Sequence, residues 1–177
     1  MSKDISRRSF LKTGTAAAVG LSMAPGMFAA PASKKKAAPA PMDRKLKILG
    51  VGIGGRGAAV LSALETEEII GLCDVDTKYA AHVFDRYPNA KRYTDYRKMY
   101  EELLDEADAV VVATADHTHA IIAAEAIAAG KHVYCEKPLV HSIYEARLLT
   151  KLAEKHHVST QMGNQGASNG GTRKAIN

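Results

Sequence analysis

Six consecutive residues, Gly52-Ile53-Gly54-Gly55-Arg56-Gly57, set three glycines at the spacing G-x-G-x-x-G directly after the apolar run "KLKILGV". Between a strand and a helix, that spacing serves dinucleotide binding. Gly52 makes the tight turn, Gly54 lets the main chain approach a diphosphate, and Gly57 lets helix and strand pack closely. The diphosphate rests at the start of the helix, where unpaired N–H groups and the helix dipole favour an anion. Ile53, Gly55 and Arg56 belong to the same turn. Asp74 stands 20 residues beyond Gly54, at the end of the next apolar run, where a carboxylate takes the hydroxyls of a ribose. It would repel a 2′-phosphate, and no Arg follows it at once, so the pattern predicts NAD rather than NADP. No G-x-x-x-x-G-K-[ST] is present, so a nucleoside-triphosphatase loop does not compete.

The elements that must position these residues alternate along the chain. "KLKILGVGI" reads as a strand and "GRGAAVLSALETE" as a helix with Ala58, Leu61 and Leu64 on one face. "EIIGLCDVD" is a second strand, followed by a helix around "TKYAAHVFDRY" that Pro88 and Asn89 close. "KRYTD" is a short third strand and "YRKMYEELL" a helix. The β-branched run in "ADAVVVATA" is of the kind buried on both faces of a parallel sheet. "HAIIAAEAIAAG" is a helix ending at Gly130, "KHVYCEKP" a strand stopped by Pro138, and "VSTQMG" a last strand. Between those two strands, Ser142 and Glu145 form a capping box for a helix that runs to His156 or His157. The alternation predicts an α/β fold with a doubly wound parallel sheet, of Rossmann type, in strand order 3-2-1-4-5-6. In that order Cys73 and Cys135 lie three strand spacings apart, roughly 14 Å, too far for a disulfide.

Charge divides the chain. The net +5 includes +3 from residues 1–32 and +5 from residues 33–47, leaving −3 for residues 48–177, so the folded part has no basic face for nucleic acid. "SRRSFLK" ahead of the mild apolar stretch "TGTAAAVGLSMAPGMFAA" predicts a twin-arginine export signal over 1–32, with Ala30-Pro31-Ala32 before the cleavage point. The stretch is too weak and too broken by Pro and Gly to span a membrane. Residues 33–44 read as a Pro/Ala/Lys linker, 45–166 as the dinucleotide-binding domain, and 167–177 as the start of a second domain. Asp116-His117-Thr118-His119 does not read as a metal site, because alternate helical positions point apart and no third ligand follows at a characteristic spacing. His82, His132 and His141 read as structural or surface residues, and His156 and His157 as favoured by the end of a helix.

"CEKP" after the fifth strand, "ATADHTHA" after the fourth and "GNQGAS" after the sixth together resemble the glucose–fructose oxidoreductase and inositol dehydrogenase family, Gfo/Idh/MocA, over about 45–177. The resemblance implies a nicotinamide cofactor and hydride transfer at a sugar or cyclitol hydroxyl. It matches Lys137 to the lysine beside nicotinamide and substrate, Glu136 and Pro138 to its neighbours, and Thr114 and His119 to the loop that passes under the cofactor. An alcohol carbon gives up hydride only as its proton departs, so Lys137 suits either the acceptor of that proton or the cation that steadies the alkoxide. Ala115 stands where the family usually has Pro, and Ala167 where it commonly has His. The family's second domain, with its substrate pocket, usual subunit interface and acid/base His, is not in this sequence. The expectation is therefore a nucleotide half that turns over little alone, and a homo-oligomer only where the second domain is present. The export machinery is an expected partner and the periplasm the expected site. A protein exported already folded carries its NAD with it, tightly retained and recycled between two substrates. Two other readings stand beside this one: redox-assisted glycoside cleavage by an exported relative, against which Glu-Lys-Pro counts, and a non-catalytic dinucleotide-binding remnant.

Overall fold

A computed structural model describes residues 43–168 together with 171, 172 and 174. The export signal, most of the linker, and residues 169, 170, 173 and 175–177 of the stretch assigned to a second domain lie outside the described residues. Six strands form one parallel sheet: β1 (Lys47–Val51), β2 (Glu68–Cys73), β3 (Lys91–Tyr93), β4 (Ala109–Val112), β5 (His132–Glu136) and β6 (Thr160–Gly163). Their order is β3-β2-β1-β4-β5-β6, as the alternation predicts. Between them run α1 (Arg56–Ser62), α2 (Ala81–Arg86), α3 (Tyr96–Leu103), α4 (His119–Ala128) and α5 (Ile143–His156). Among the described residues no helix is long and apolar enough to cross a membrane.

Because successive strand residues point to opposite faces, each strand feeds two cores. In β4, Val110 and Val112 join Leu49, Met99, Ile122 and Ile127 on one face, while Val111 joins Ile48, Leu61, Leu72 and Phe84 on the other. Helices α3, α4 and α5 cover the first core, and α1 and α2 cover the second. Cys73 and Cys135 are free and buried in the first core, and burial pushes both thiols up to about 12.

The helix ends follow their caps. The capping box at Ser142 and Glu145 forms, Gly130 takes φ +77° after α4, and α5 ends with His157 in the left-handed region at φ 55°. Two helices are shorter than the pattern predicts. After Ser62 the Ala63 and Leu64 N–H groups turn to the Val60 and Leu61 carbonyls (3.1 and 3.0 Å), tightening the chain into turns, so α1 stops at Ser62. The Asp76 carboxylate accepts from the N–H groups of Lys78 and Tyr79 (3.1 and 2.9 Å), which makes a turn of the segment expected to open α2.

Order 2-1-4 is where the winding reverses, so the chain leaves β1 and β4 in different directions and opens a crevice at their carboxyl ends. At the opposite end, Arg44 grips Asp108 with two hydrogen bonds (2.6 and 2.7 Å) and the Lys47 N–H donates to the same carboxylate at 2.9 Å. These clamp the start of β1 to the start of β4. The Arg44 hydrogen bonds, opposed by desolvation and helped by the Lys47 N–H, hold the Asp108 carboxyl down to about 2. A depressed carboxyl stabilises the fold above its unfolded pKa, about 3.9, and loses that effect as pH falls through the folded value. Asp108→Asn should therefore melt below wild type at pH 7, and the gap should narrow as pH falls from about 4 toward 2; a gap of constant size across that range contradicts the clamp.

Candidate functional site

The turn after β1 is built by contacts that only glycine permits. Gly52 has φ +77°, donates its N–H to the Cys73 carbonyl at 2.9 Å, and lies so near the β4 loop that a Cβ would fall 2.6 Å from Ala113 C and Thr114 N. A Cβ on Gly57 would strike the Gly52 carbonyl, whereas one on Gly54 would meet the exposed ring of Tyr79. Ile53 is fully buried in the second core, so it offers a ligand main chain only. No side chain caps α1 and no acid stands in its first turn, whereas Asp95 caps α3 and Ser142 caps α5. The start of α1 is thus open to an anion from outside the chain.

Asp74 follows the last residue of β2 and fastens this turn. One of its oxygens accepts from the Gly54 N–H at 2.9 Å and the other from the Asp76 N–H at 3.0 Å. A carboxylate has about four acceptor positions, so two remain for hydroxyls. The crevice beside it measures about 790 Å³ and is lined by Gly52, Gly55, Asp74, Tyr79, Thr114 and His117, among others. Its lining runs to the ends of β2, β3 and β4, over the first half of the sheet.

The two histidines that alternate in sequence part company in space. His117 faces the crevice, while His119, the first residue of α4, is 1% exposed. Its ring nitrogens lie 3.0 Å from the Thr114 carbonyl oxygen and 2.7 Å from that of Pro138. The sequence reading places His119 among the cofactor residues; the structure places its side chain behind the loop, joining the segment after β4 to the one after β5. Thr114 lines the crevice, its hydroxyl accepting from Thr118 Oγ1 at 2.8 Å.

Lys137 extends from the end of β5 with its side chain exposed, and the Lys137–Pro138 peptide is cis. No hydrogen bond or ion pair engages its ammonium among the described residues, which leaves it available to a substrate oxygen. Its neighbour Glu136 is 5% exposed and accepts three hydrogen bonds on Oε1, from Arg56 Nε (3.1 Å), Tyr134 Oη (3.1 Å) and Gln165 Nε2 (2.8 Å). Burial pushes its carboxyl up, but those hydrogen bonds together outweigh burial and hold it below the usual range. A Cβ on Gly163 would sit 2.6 Å from both Glu136 Oε1 and Tyr134 Oη, so glycine there makes room for the cluster. Sequence reasoning missed Tyr79, Tyr134 and Gln165. Tyr134 and Glu136 share one face of β5 at i and i+2, and that spacing was the available signal.

A family model described as an oxidoreductase family with an NAD-binding Rossmann fold, Gfo/Idh/MocA, matches residues 44–164. The chain belongs to this family. Among relatives, glucose-6-phosphate 3-dehydrogenase of Bacillus subtilis is 30% identical over 121 residues, 68% of this chain and 33% of that protein. A glycosyl hydrolase family 109 protein of Shewanella sp. strain ANA-3 is 32% identical over 167 residues, 84% of this chain and 37% of its own. The WlbA dehydrogenase of Chromobacterium violaceum, solved with NADH and UDP-GlcNAcA, superposes with a TM-score of 0.69 at 26% identity, covering 77% of this chain and 40% of that one. The chain thus spans a third to two fifths of the length of these proteins.

The glycine contacts separate folding from binding. Gly57→Ala meets rigid main chain and should cost about 2 kcal/mol or more in urea denaturation. Gly54→Ala meets a ring that can swing outward, so it should unfold near the wild-type midpoint while NADH affinity falls at least about tenfold. Equal stability losses in the two variants contradict this division.

Proposed function

We propose that the described residues form the nucleotide half of a site that moves hydride between NAD and a hydroxyl of a sugar or cyclitol. The observation that carries this reading is the Asp74 carboxylate, held at the lip of the crevice by the Gly54 N–H with acceptor positions to spare. The residues present fit a dinucleotide: an uncapped helix start beside a glycine turn for the diphosphate, Asp74 for the ribose, and a crevice of about 790 Å³ between them. When bound there, the nicotinamide supplies the acceptor or donor of the hydride.

The chain's own residues do the rest. The amides after Gly54, from Gly55 to the start of α1, hold the diphosphate, and Asp74 orients the adenosine ribose. Thr114 and the loop pinned by His119 support the second nucleotide. Lys137 takes the hydroxyl proton or steadies the alkoxide, and its lack of a partner among the described residues suits that part. Relatives named as dehydrogenases of glucose 6-phosphate and inositol support a sugar or cyclitol as substrate. Asp74 and Asp76 disfavour a 2′-phosphate by like charge, so NAD is the cofactor rather than NADP. The twin-arginine signal, export of the folded protein to the periplasm, and a tightly retained NAD complete this reading.

A second reading is favoured by the family 109 glycosyl hydrolase relatives, whose similarity extends over 84–90% of this chain. It is cleavage of a glycoside by transient oxidation on retained NAD. Release of aglycone with no net NADH would select it; Glu136-Lys137-Pro138 argues for the first. The cofactor assignment is tested by titrating the chain and an Asp74→Ser variant with NADH and NADPH. Wild type should bind NADH at least about tenfold more tightly, and the variant should narrow that ratio. Tighter binding of NADPH by wild type would overturn it.

A further inference from the structure

The Arg56–Glu136 ion pair has a place in the sheet that the glycine turn alone does not explain. Arg56 opens α1, directly after β1, while Glu136 closes β5. In the sheet β4 lies between those strands, so the pair crosses the end of β4 and spans two strand spacings, roughly 10 Å. It therefore runs from the diphosphate turn to the residue before Lys137, across the half of the switch point where the second nucleotide of a dinucleotide lies. The carboxylate end is fixed. Glu136 is buried, Tyr134 and Gln165 both donate to the same oxygen that Arg56 reaches, and Gln165 also donates to Tyr134 Oη at 2.7 Å. The guanidinium end is half exposed, 50% against 7% for the carboxylate.

Resting on the cofactor reading above, we propose that Tyr134 and Gln165 are positioning residues: by locking Glu136 they hold Arg56 as a strut that sets the nicotinamide half of the crevice and the seat of Lys137. Neither lines the crevice at the ends of β2 and β3, where Asp74 would take the adenosine ribose. A strut on one half of a bipartite site predicts a selective defect. Gly163 is part of the same arrangement, because any side chain there would push Glu136 and Tyr134 out of register with Arg56.

The test compares two ligands on the 177-residue chain: NADH, which fills both halves, and ADP-ribose, which lacks the nicotinamide. In Tyr134→Phe and in Gln165→Leu, the NADH dissociation constant should rise about tenfold and the gain in NADH fluorescence on binding should fall. ADP-ribose affinity should stay within about twofold of wild type. Arg56→Lys keeps a cation within reach of Glu136 and should retain more NADH affinity than Arg56→Met. Parallel losses of NADH and ADP-ribose would make the cluster a purely structural one and overturn the proposal, as would unchanged NADH binding in both variants. Should Gln165→Leu unfold, Tyr134→Phe, which removes one oxygen, decides alone. Wild-type chain that binds neither ligand would overturn the cofactor reading itself and the strut with it; wild-type binding with no selective defect overturns the strut only.

Discussion

One hydrogen bond organises the working end of this molecule: the Gly54 N–H given to the Asp74 carboxylate at 2.9 Å. It joins the turn after β1 to the end of β2. With the Gly52 N–H given to the Cys73 carbonyl, it holds the glycine turn in one shape. The turn can take that shape only because Gly52 adopts a positive φ and Gly57 leaves space for the Gly52 carbonyl. A charge-assisted bond of this kind is worth more than a neutral one and directs the carboxylate's remaining acceptor positions outward. The carboxylate that shapes the turn is thus the group proposed above to receive the ribose.

The two ends of the sheet divide the labour. At the amino ends of β1 and β4, Asp108 is gripped by Arg44 and the Lys47 N–H, a closed set of bonds that leaves little for a ligand. At the carboxyl ends the polar groups are arranged as a perimeter. Asp74 stands at one side, the Glu136 cluster at the other, and the Thr114 loop between them is pinned from behind by His119. The apolar faces between these ends supply the rigid body on which the perimeter keeps its geometry. Lys137 stands on that perimeter without a partner among the described residues, and this sets it apart from Glu136 beside it.

The fold was legible because its signals were local and repeated. Val110, Val111 and Val112 form a run that a sheet covered on both sides requires, and Ser142 with Glu145 announced a helix start within four residues. The strand order followed from the alternation of elements, and Cys73 and Cys135 stand unbonded in it. What escaped the sequence was mostly non-local. That Asp76 would spend its carboxylate on the Lys78 and Tyr79 amides, and so delay α2, is a competition between a turn and a helix that periodicity does not see. His119 lay in a motif that suggested contact with a ligand, yet its burial depends on where the Pro138 carbonyl arrives, 19 residues later. Tyr134, Gln165 and Arg56 converge on Glu136 Oε1 only because β4 and β5 add to the sheet in that order.

The central claim is that the Asp74–Gly54 junction seats a dinucleotide, and a crystal of the 177-residue chain grown in saturating NADH examines it most directly. The account predicts the diphosphate against the amides between Gly54 and Gly57, with the adenosine ribose hydroxyls within hydrogen-bonding distance of the Asp74 carboxylate. A well-ordered crystal with the crevice empty at saturating NADH, or with the nucleotide bound away from Asp74, would contradict it.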